Sequence, residues 1–540
     1  MTKRDLALHH ADSLIGFLLL LALAAAFLGS HSANAQSYET KLHERLAAVD
    51  RATSRGLFRP DWTSLGRYQV PEWYRDAKFG IFIHWGVYSV PAFANEWYSR
   101  NMYQQGDPAF RHHVEIYGPQ SKFGYKDFIP MFTAGKFDPD AWVELFQQAG
   151  ARYVVPVAEH CDGFPMYASD FTEWNAARMG PKRDVVGEIA RAARKHGLHF
   201  GLSSHRAEHW WWYYGGTRFD SDVNDPRNAG IYGPAQPMAL SGDPSEGEPD
   251  PNHLERWLPP NQQFLDDWLA RSTELVDKYQ PEVFYFDWWI GQPAFTSYRQ
   301  RMAAYYYNLA AEWGKGVVLT AKDLDFPENA AVLDVERAKL DGIRLLPWQT
   351  DTSISIKSWG YVQNDTYRTA KSLIGELVDV VSKNGNLLLN VGPKSDGTIP
   401  AEARDVLLAM GQWLGTNGEA IYSSRPWILY GEGPTSDAAS RKMGNDAAEY
   451  TAQDIRFTAK GDLLYAIALG WPEDGKLIIH TLWGGTPYLT QIKQIDLLGS
   501  GTKLHWRQSK EGLTIELPPS KPNDLAYVFR ISSAAGAGTR

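Results

Sequence analysis

The sequence predicts an α/β protein, a TIM-like (β/α) barrel catalytic domain followed by a C-terminal antiparallel β-sandwich. Three observations carry that expectation. Between about residues 77 and 395, short apolar runs alternate with amphipathic helical stretches, which implies parallel strand pairing. So many repeats over that length favour closure into a barrel, with a doubly wound open sheet as the alternative. From about residue 421 to 531 the pattern changes to short alternating runs broken by turn signals, as in a small sandwich.

Taken from the amino terminus, the 540 residues divide into four segments: 1–35, 36–420, 421–535 and 536–540. The first reads as a signal peptide. Basic Lys3 and Arg4 precede an apolar stretch over 14–28, and Ala33-Asn34-Ala35 offers a small-x-small cleavage site. The mature chain then begins near Gln36 and is exported, to the bacterial periplasm or beyond, with no membrane association after cleavage. A retained anchor is the alternative, although the apolar stretch is short for a span. Cys161 is the single cysteine, so no intrachain disulfide forms.

In the barrel segment the clearest strand candidates are 79–84, 153–158, 199–203, 283–287, 317–320 and 386–391. Helical patterns at 184–196, 261–279, 298–313 and 368–382 separate them, with Asp184 and Asn261 as N-caps and Gly197 as a helix stop. Most strand candidates end in polar or aromatic residues: His84-Trp85, Glu159-His160, Ser204-His205, Asp287-Trp288 and Lys322-Asp323. In a barrel those ends build the active site. A Gly-, Pro- and Asp-rich stretch over 215–260 reads as a lid, a binding loop or a decoration. After a helical stretch at 401–418, sandwich strands are expected at 463–469, 477–481, 504–508 and 513–517, and the final segment reads as a disordered tail.

The formal charge is −9 with no basic stripe, which argues against a nucleic-acid partner. Aromatic residues are abundant (21 Trp, 27 Tyr, 23 Phe), and aromatic faces suit the C–H faces of sugars. Asp287 ends a buried-strand run, Phe284-Tyr285-Phe286, and a short carboxylate there suits a nucleophile; an N-cap or salt-bridged aspartate is the bland alternative.

Three motifs then carry a resemblance. The first is Trp73-Tyr74-Arg75-Asp76-Ala77-Lys78-Phe79-Gly80-Ile81-Phe82-Ile83-His84-Trp85-Gly86, followed by Asn95-Glu96-Trp97-Tyr98. The second is Ala158-Glu159-His160-Cys161-Asp162-Gly163-Phe164. The third runs from Ser382-Lys383-Asn384-Gly385-Asn386 through Leu387-Leu388-Leu389-Asn390-Val391-Gly392-Pro393 to Asp396-Gly397-Thr398-Ile399-Pro400. Over about residues 58–425 the chain resembles the α-L-fucosidases of glycoside hydrolase family 29. The resemblance implies a retaining hydrolase acting on fucosylated oligosaccharides or polysaccharides, with no metal or organic cofactor.

Retention needs two carboxyls, one ionised nucleophile and one protonated acid. By resemblance Asp287 is the nucleophile. Glu336 is the favoured acid/base, Glu96 its rival, and Glu208 and Asp334 are further alternatives. A bland reading of Glu336 is an ion pair with Arg337 on a solvated loop. His84, Glu96, Trp97 and His160 match sugar-contacting positions, and Trp359 matches an aromatic near the fucose methyl. His205, Glu208 and His209 follow the 199–203 candidate and are weaker guesses, while Tyr285 is a further substrate-side candidate. Trp210-Trp211-Trp212 either line a leaving-group subsite or pack beneath the long loop.

The chain also departs from the family pattern. Cys161 stands where a second histidine is common, and a thiol is a poor hydrogen-bond donor. Lys322 stands for an arginine and would meet the sugar as a point charge. Ser203-Ser204-His205 replace family tyrosines. These changes bear on substrate range, so two other readings stay open: a related retaining α-L-galactosidase and a non-catalytic fucose-binding protein.

Overall fold

The computed structural model describes residues 36–240, 256–322, 325–435, 450–489 and 491–534. The expected signal peptide, the tail, Asp323 and the stretch 241–255 of the long loop lie outside the described residues.

Eight parallel strands close into a barrel in sequence order: β1 (Phe79–Ile83), β2 (Tyr153–Glu159), β3 (His199–Ser204), β4 (Val283–Phe286), β5 (Val318–Lys322), β6 (Val332–Asp334), β7 (Trp348–Ser353) and β8 (Gly385–Val391). Closure is made by β1 on β8, with Phe79 opposite Leu387 and Ile83 opposite Val391. The period of two divides the strand residues between two cores. Phe82, Tyr153, Val155, Val157, Val283, Tyr285, Val318, Val332 and Leu388 fill the barrel, while Phe79, Ile81, Val154, Phe200, Phe284 and Phe286 pack outward on the helices. Gly80 is required by this filling, because a Cβ there would sit 2.4 Å from the Tyr153 ring.

Strands β6 and β7 were not anticipated. β6 is three residues long, and β7 reads Trp-Gln-Thr-Asp-Thr-Ser, with no apolar alternation to mark it. Its Gln349 and Asp351 face a polar interior. Gln349 accepts from the Tyr74 hydroxyl at 2.8 Å and donates to Asp334 at 2.6 Å. A strand that buries hydrogen-bonded polar side chains is stable but invisible to a hydrophobic pattern.

The expected caps form. Asp184 accepts from Gly187 N at 3.1 Å ahead of the helix Val185–Lys195, and Asn261 accepts from Phe264 N at 2.9 Å ahead of Gln262–Tyr279. Between that second helix and β2 lies a buried charge lattice. Arg206 bridges Glu159 at 2.6 Å and Asp267 at 2.5 Å, and Arg271 pairs with the same two carboxylates. Tyr38 donates to Asp267 at 2.8 Å and so ties down the amino-terminal helix over 36–55.

After the helix Ala401–Asn417, a five-stranded antiparallel sheet with Ile455–Lys460, Leu463–Ala468 and Tyr527–Ser533 at its centre faces a three-stranded sheet. Their shared core includes Trp427, Phe457, Leu464, Ile479, Leu513 and Phe529. The sandwich is anchored to the barrel. Fully buried Arg456 reaches Asp379 of a barrel helix at 2.6 Å, beside Lys383 at 2.9 Å, and Trp413 Nε1 donates to Ala526 O at 2.9 Å. No helix among the described residues is long and apolar enough to cross a membrane.

Candidate active site

The carboxyl ends of the strands converge on one polar cavity. Asp287 leaves β4 with its carboxylate partly exposed. Its Oδ2 lies 2.7 Å from His205 Nδ1, off the line of a straight hydrogen bond. Its Oδ1 lies 3.4 Å from the Tyr285 hydroxyl oxygen and 3.9 Å from Lys322 Nζ. Burial alone would raise this carboxyl, but the His205 imidazole and the Lys322 ammonium outweigh it and hold Asp287 well below the usual carboxylate range. Trp289, two residues on, takes a φ of +82°, a left-handed conformation costly for a bulky side chain.

Glu336 stands across from it, just beyond β6. Trp288 Nε1 donates to its Oε2 at 2.5 Å, and Lys322 Nζ lies 3.3 Å from the same oxygen. Burial raises the Glu336 carboxyl, and Lys322 only partly offsets this. The two carboxyls are thus driven in opposite directions, the condition for one to attack and the other to donate a proton. Arg337 also has a positive φ, of +47°, and its guanidinium lies 4.4 Å over the Trp359 ring. Backbone strain therefore sits beside both carboxyls.

Lys322 is the hub between them. Its ammonium reaches Asp334 at 2.9 Å and Asp351 at 3.0 and 3.1 Å, and the side chain is 1% exposed. Burial would lower its pKa, but the Asp334, Asp351, Glu336 and Asp287 carboxyls raise it well above the ordinary value. Lys322, expected to meet the sugar, here directs its ammonium at four carboxylates: Asp334 and Asp351, and Glu336 and Asp287. Tyr285, a substrate-side candidate, is fully buried, and its hydroxyl donates to Asp351 at 2.9 Å.

His84, His160 and His205 come together on one wall, with ring centroids 5.1–5.8 Å apart. Burial pushes the His84 and His160 rings well below their ordinary pKa, with neighbouring imidazoles adding to the effect, so both are neutral near pH 7. Trp359 packs 5.2 Å from the His84 ring and 6.3 Å from Phe82, half-buried at the edge. Glu96 lies beneath it, where Oε2 accepts from Trp359 N and Ser358 Oγ, each at 2.8 Å. Trp97 packs on Trp212 at 4.9 Å.

Cys161 is fully buried and donates its thiol hydrogen to Glu208 Oε2 at 2.8 Å. His209 Nδ1 contacts the Cys161 carbonyl at 2.9 Å, behind the wall. Trp210, Trp211 and Trp212 are all buried, and Trp257 from the long loop packs 5.4 Å from Trp289. That loop thus reaches the surroundings of Asp287.

Sequence reasoning missed Asp351 and Asn390 as site-building residues. Asn390 lay inside a quoted motif; Asp351 lay on the unrecognised strand.

Two family profiles match the chain: α-L-fucosidase over residues 45–419, and the α-L-fucosidase C-terminal domain over residues 447–532. It is similar to the tissue α-L-fucosidase of Homo sapiens, 33% identical over 496 residues, covering 89% of this chain and 92% of that one. Among solved structures it resembles the α-fucosidase of Thermotoga maritima in complex with fucose, at TM-score 0.68 and 30% identity, covering 88% of this chain and 99% of that one. The complex of the Thermotoga maritima enzyme with a mechanism-based inhibitor gives TM-score 0.69 and 31% identity, covering 88% and 100%.

Proposed function

The chain belongs to the α-L-fucosidase family of glycoside hydrolases, and on that premise we propose that it releases terminal α-L-fucose from glycans by a retaining double displacement. Asp287 attacks the anomeric carbon, and Glu336 protonates the departing oxygen. Glu336 then deprotonates the water that frees the sugar. The observation that carries the reading is the shared contact of both carboxyls with Lys322. It keeps Asp287 Oδ1 and Glu336 Oε2 no more than about 7 Å apart, a bound that accommodates the ~5–5.5 Å separation of retaining enzymes, while the opposite directions of the two carboxyl pKa values suit a nucleophile and an acid.

Three histidines and Trp359 supply the hydrogen-bonding wall and the apolar edge that fucose, with its hydroxyls and its methyl, requires. Glu96 is a weaker acid/base candidate, because one of its oxygens already accepts two hydrogen bonds from the 358–359 backbone and side chain. The export of the chain through residues 1–35 is part of the same proposal, tested by amino-terminal sequencing of exported protein for a start at Gln36.

Trapping with a 2-fluoro-fucosyl inhibitor, digestion and peptide mapping test the mechanism. The label belongs on Asp287, and a label elsewhere would remove the nucleophile. Proton NMR of the first-formed sugar distinguishes retention from inversion, and parallel rates on aryl α-L-fucoside and α-L-galactoside distinguish the two substrates.

A further inference from the structure

His84, His160 and His205 are far apart in sequence and show no metal-ligand spacing, yet the fold brings one ligand atom of each within 4.8 Å of the others. Their lone pairs are set by their surroundings. Asn390 Nδ2 donates to Trp359 O at 2.7 Å and to Ser353 Oγ at 3.0 Å, which fixes the direction of its amide. Asn390 Oδ1 must then be an acceptor, and His84 Nδ1 meets it at 2.8 Å as the donor. The other nitrogen of that ring, Nε2, is left with its lone pair toward the cavity.

Among the described residues, His160 Nδ1 is buried with no hydrogen-bond partner, in a side chain only 5% exposed, whereas His205 meets Ser203 Oγ through Nε2 at 3.0 Å and faces Asp287 through Nδ1. Asp287 adds a carboxylate 2.7 Å from His205. Three imidazoles are the donor set of a borderline divalent cation such as Zn²⁺, with the Asn390 amide behind His84 and the Asp287 carboxylate beside His205 as outer support.

We propose that the His84–His160–His205 wall is also a reversible binding site for a zinc-class divalent cation, which excludes the sugar and so inhibits the enzyme. The exclusion rests on the fucose-binding reading of the same wall; the cation binding does not. The three rings cannot coordinate a metal and meet sugar hydroxyls at once, so cation and sugar compete.

Cobalt(II), titrated into the full chain, is the probe. Saturable visible absorption of a low-coordinate site is expected, displaced by zinc and by excess L-fucose, and lost in both His160→Ala and the milder His160→Gln. In turnover assays zinc should leave kcat unchanged and raise the apparent KM about tenfold at about nine times its dissociation constant, with reversal by EDTA. No cobalt absorption, or absorption that survives both His160 variants, would overturn the site. Absorption that fucose fails to displace, or zinc inhibition confined to kcat, would overturn the competition. Because cobalt binding is read without turnover, a protein lacking fucosidase activity would still report on the site.

Discussion

Replacing Lys322 with methionine should move the whole pH–activity profile to higher pH. The ammonium stands 3.3 Å from Glu336 and 3.9 Å from Asp287, with its side chain 1% exposed. At an effective dielectric of about 20, a unit charge at 3.3 Å is worth roughly 5 kcal/mol, or somewhat under ~4 pKa units. Water entering the vacated space screens the rest, so a displacement of about 1–2 units is expected. The sign follows from the roles. Glu336 works protonated, and loss of a neighbouring cation raises its carboxyl further, so activity persists to higher pH on the basic limb. Asp287 works ionised, and it too rises on losing Lys322, so the acid limb moves in the same direction. The assay is kcat/KM on an aryl α-L-fucoside across pH, with circular dichroism to establish that the variant is folded and Lys322→Arg as the charge-preserving control. A folded Lys322→Met enzyme with an unmoved basic limb would refute the assignment of Glu336 as the proton donor held by this lysine.

Other consequences are as direct. Asp287→Gly should abolish turnover, a loss beyond about 10⁴-fold in kcat, while thermal unfolding stays within a few degrees of the parent. Glu336→Ala should lose about 10²–10⁴-fold on substrates with poor leaving groups and regain turnover with azide; rescue of Glu96→Ala instead would transfer the role. Arg206→Met leaves Glu159 and Asp267 buried with one cation fewer and should cost about 3–5 kcal/mol in denaturant unfolding. In the parent, burial alone would raise Asp267, but Arg206 and Arg271 outweigh it and bring it down to about 2. Its contribution of about 2–3 kcal/mol is therefore complete above about pH 4 and is lost as pH falls toward 2, and Asp267→Asn should flatten that part of the stability curve.

The barrel was legible wherever a strand is apolar. The run Tyr153–Glu159 declares itself because both faces are largely buried in hydrocarbon, one inside the barrel and one under helices, and Gly385–Val391 does so through Leu387, Leu388 and Leu389. Trp348–Ser353 did not, because its inward Gln349 and Asp351 belong to a hydrogen-bonded polar layer, and Val332–Asp334 did not because it is only three residues long. The same polar layer hid Asp351. Asp287, His84 and His160 stand at the ends of readable strands, whereas Asp351 occupies the strand that no hydropathy pattern marks. Sequence gives a residue's place on a strand, not which way its hydrogen bonds run: that Lys322 and Tyr285 both reach Asp351 inside the barrel was not legible.

The anchoring of Arg456 changes what counts as a module. Sequence suggests a chain that could be cut near residue 420, yet the guanidinium that neutralises Asp379 in the barrel comes from the far side of that cut. A barrel expressed alone would bare the Trp413 face and keep an acidic residue inside with one cation fewer, leaving Lys383 and Lys339 to answer it. Shortened forms made for crystallisation or engineering should therefore retain the carboxyl-terminal sheets, however remote those sheets are from the chemistry.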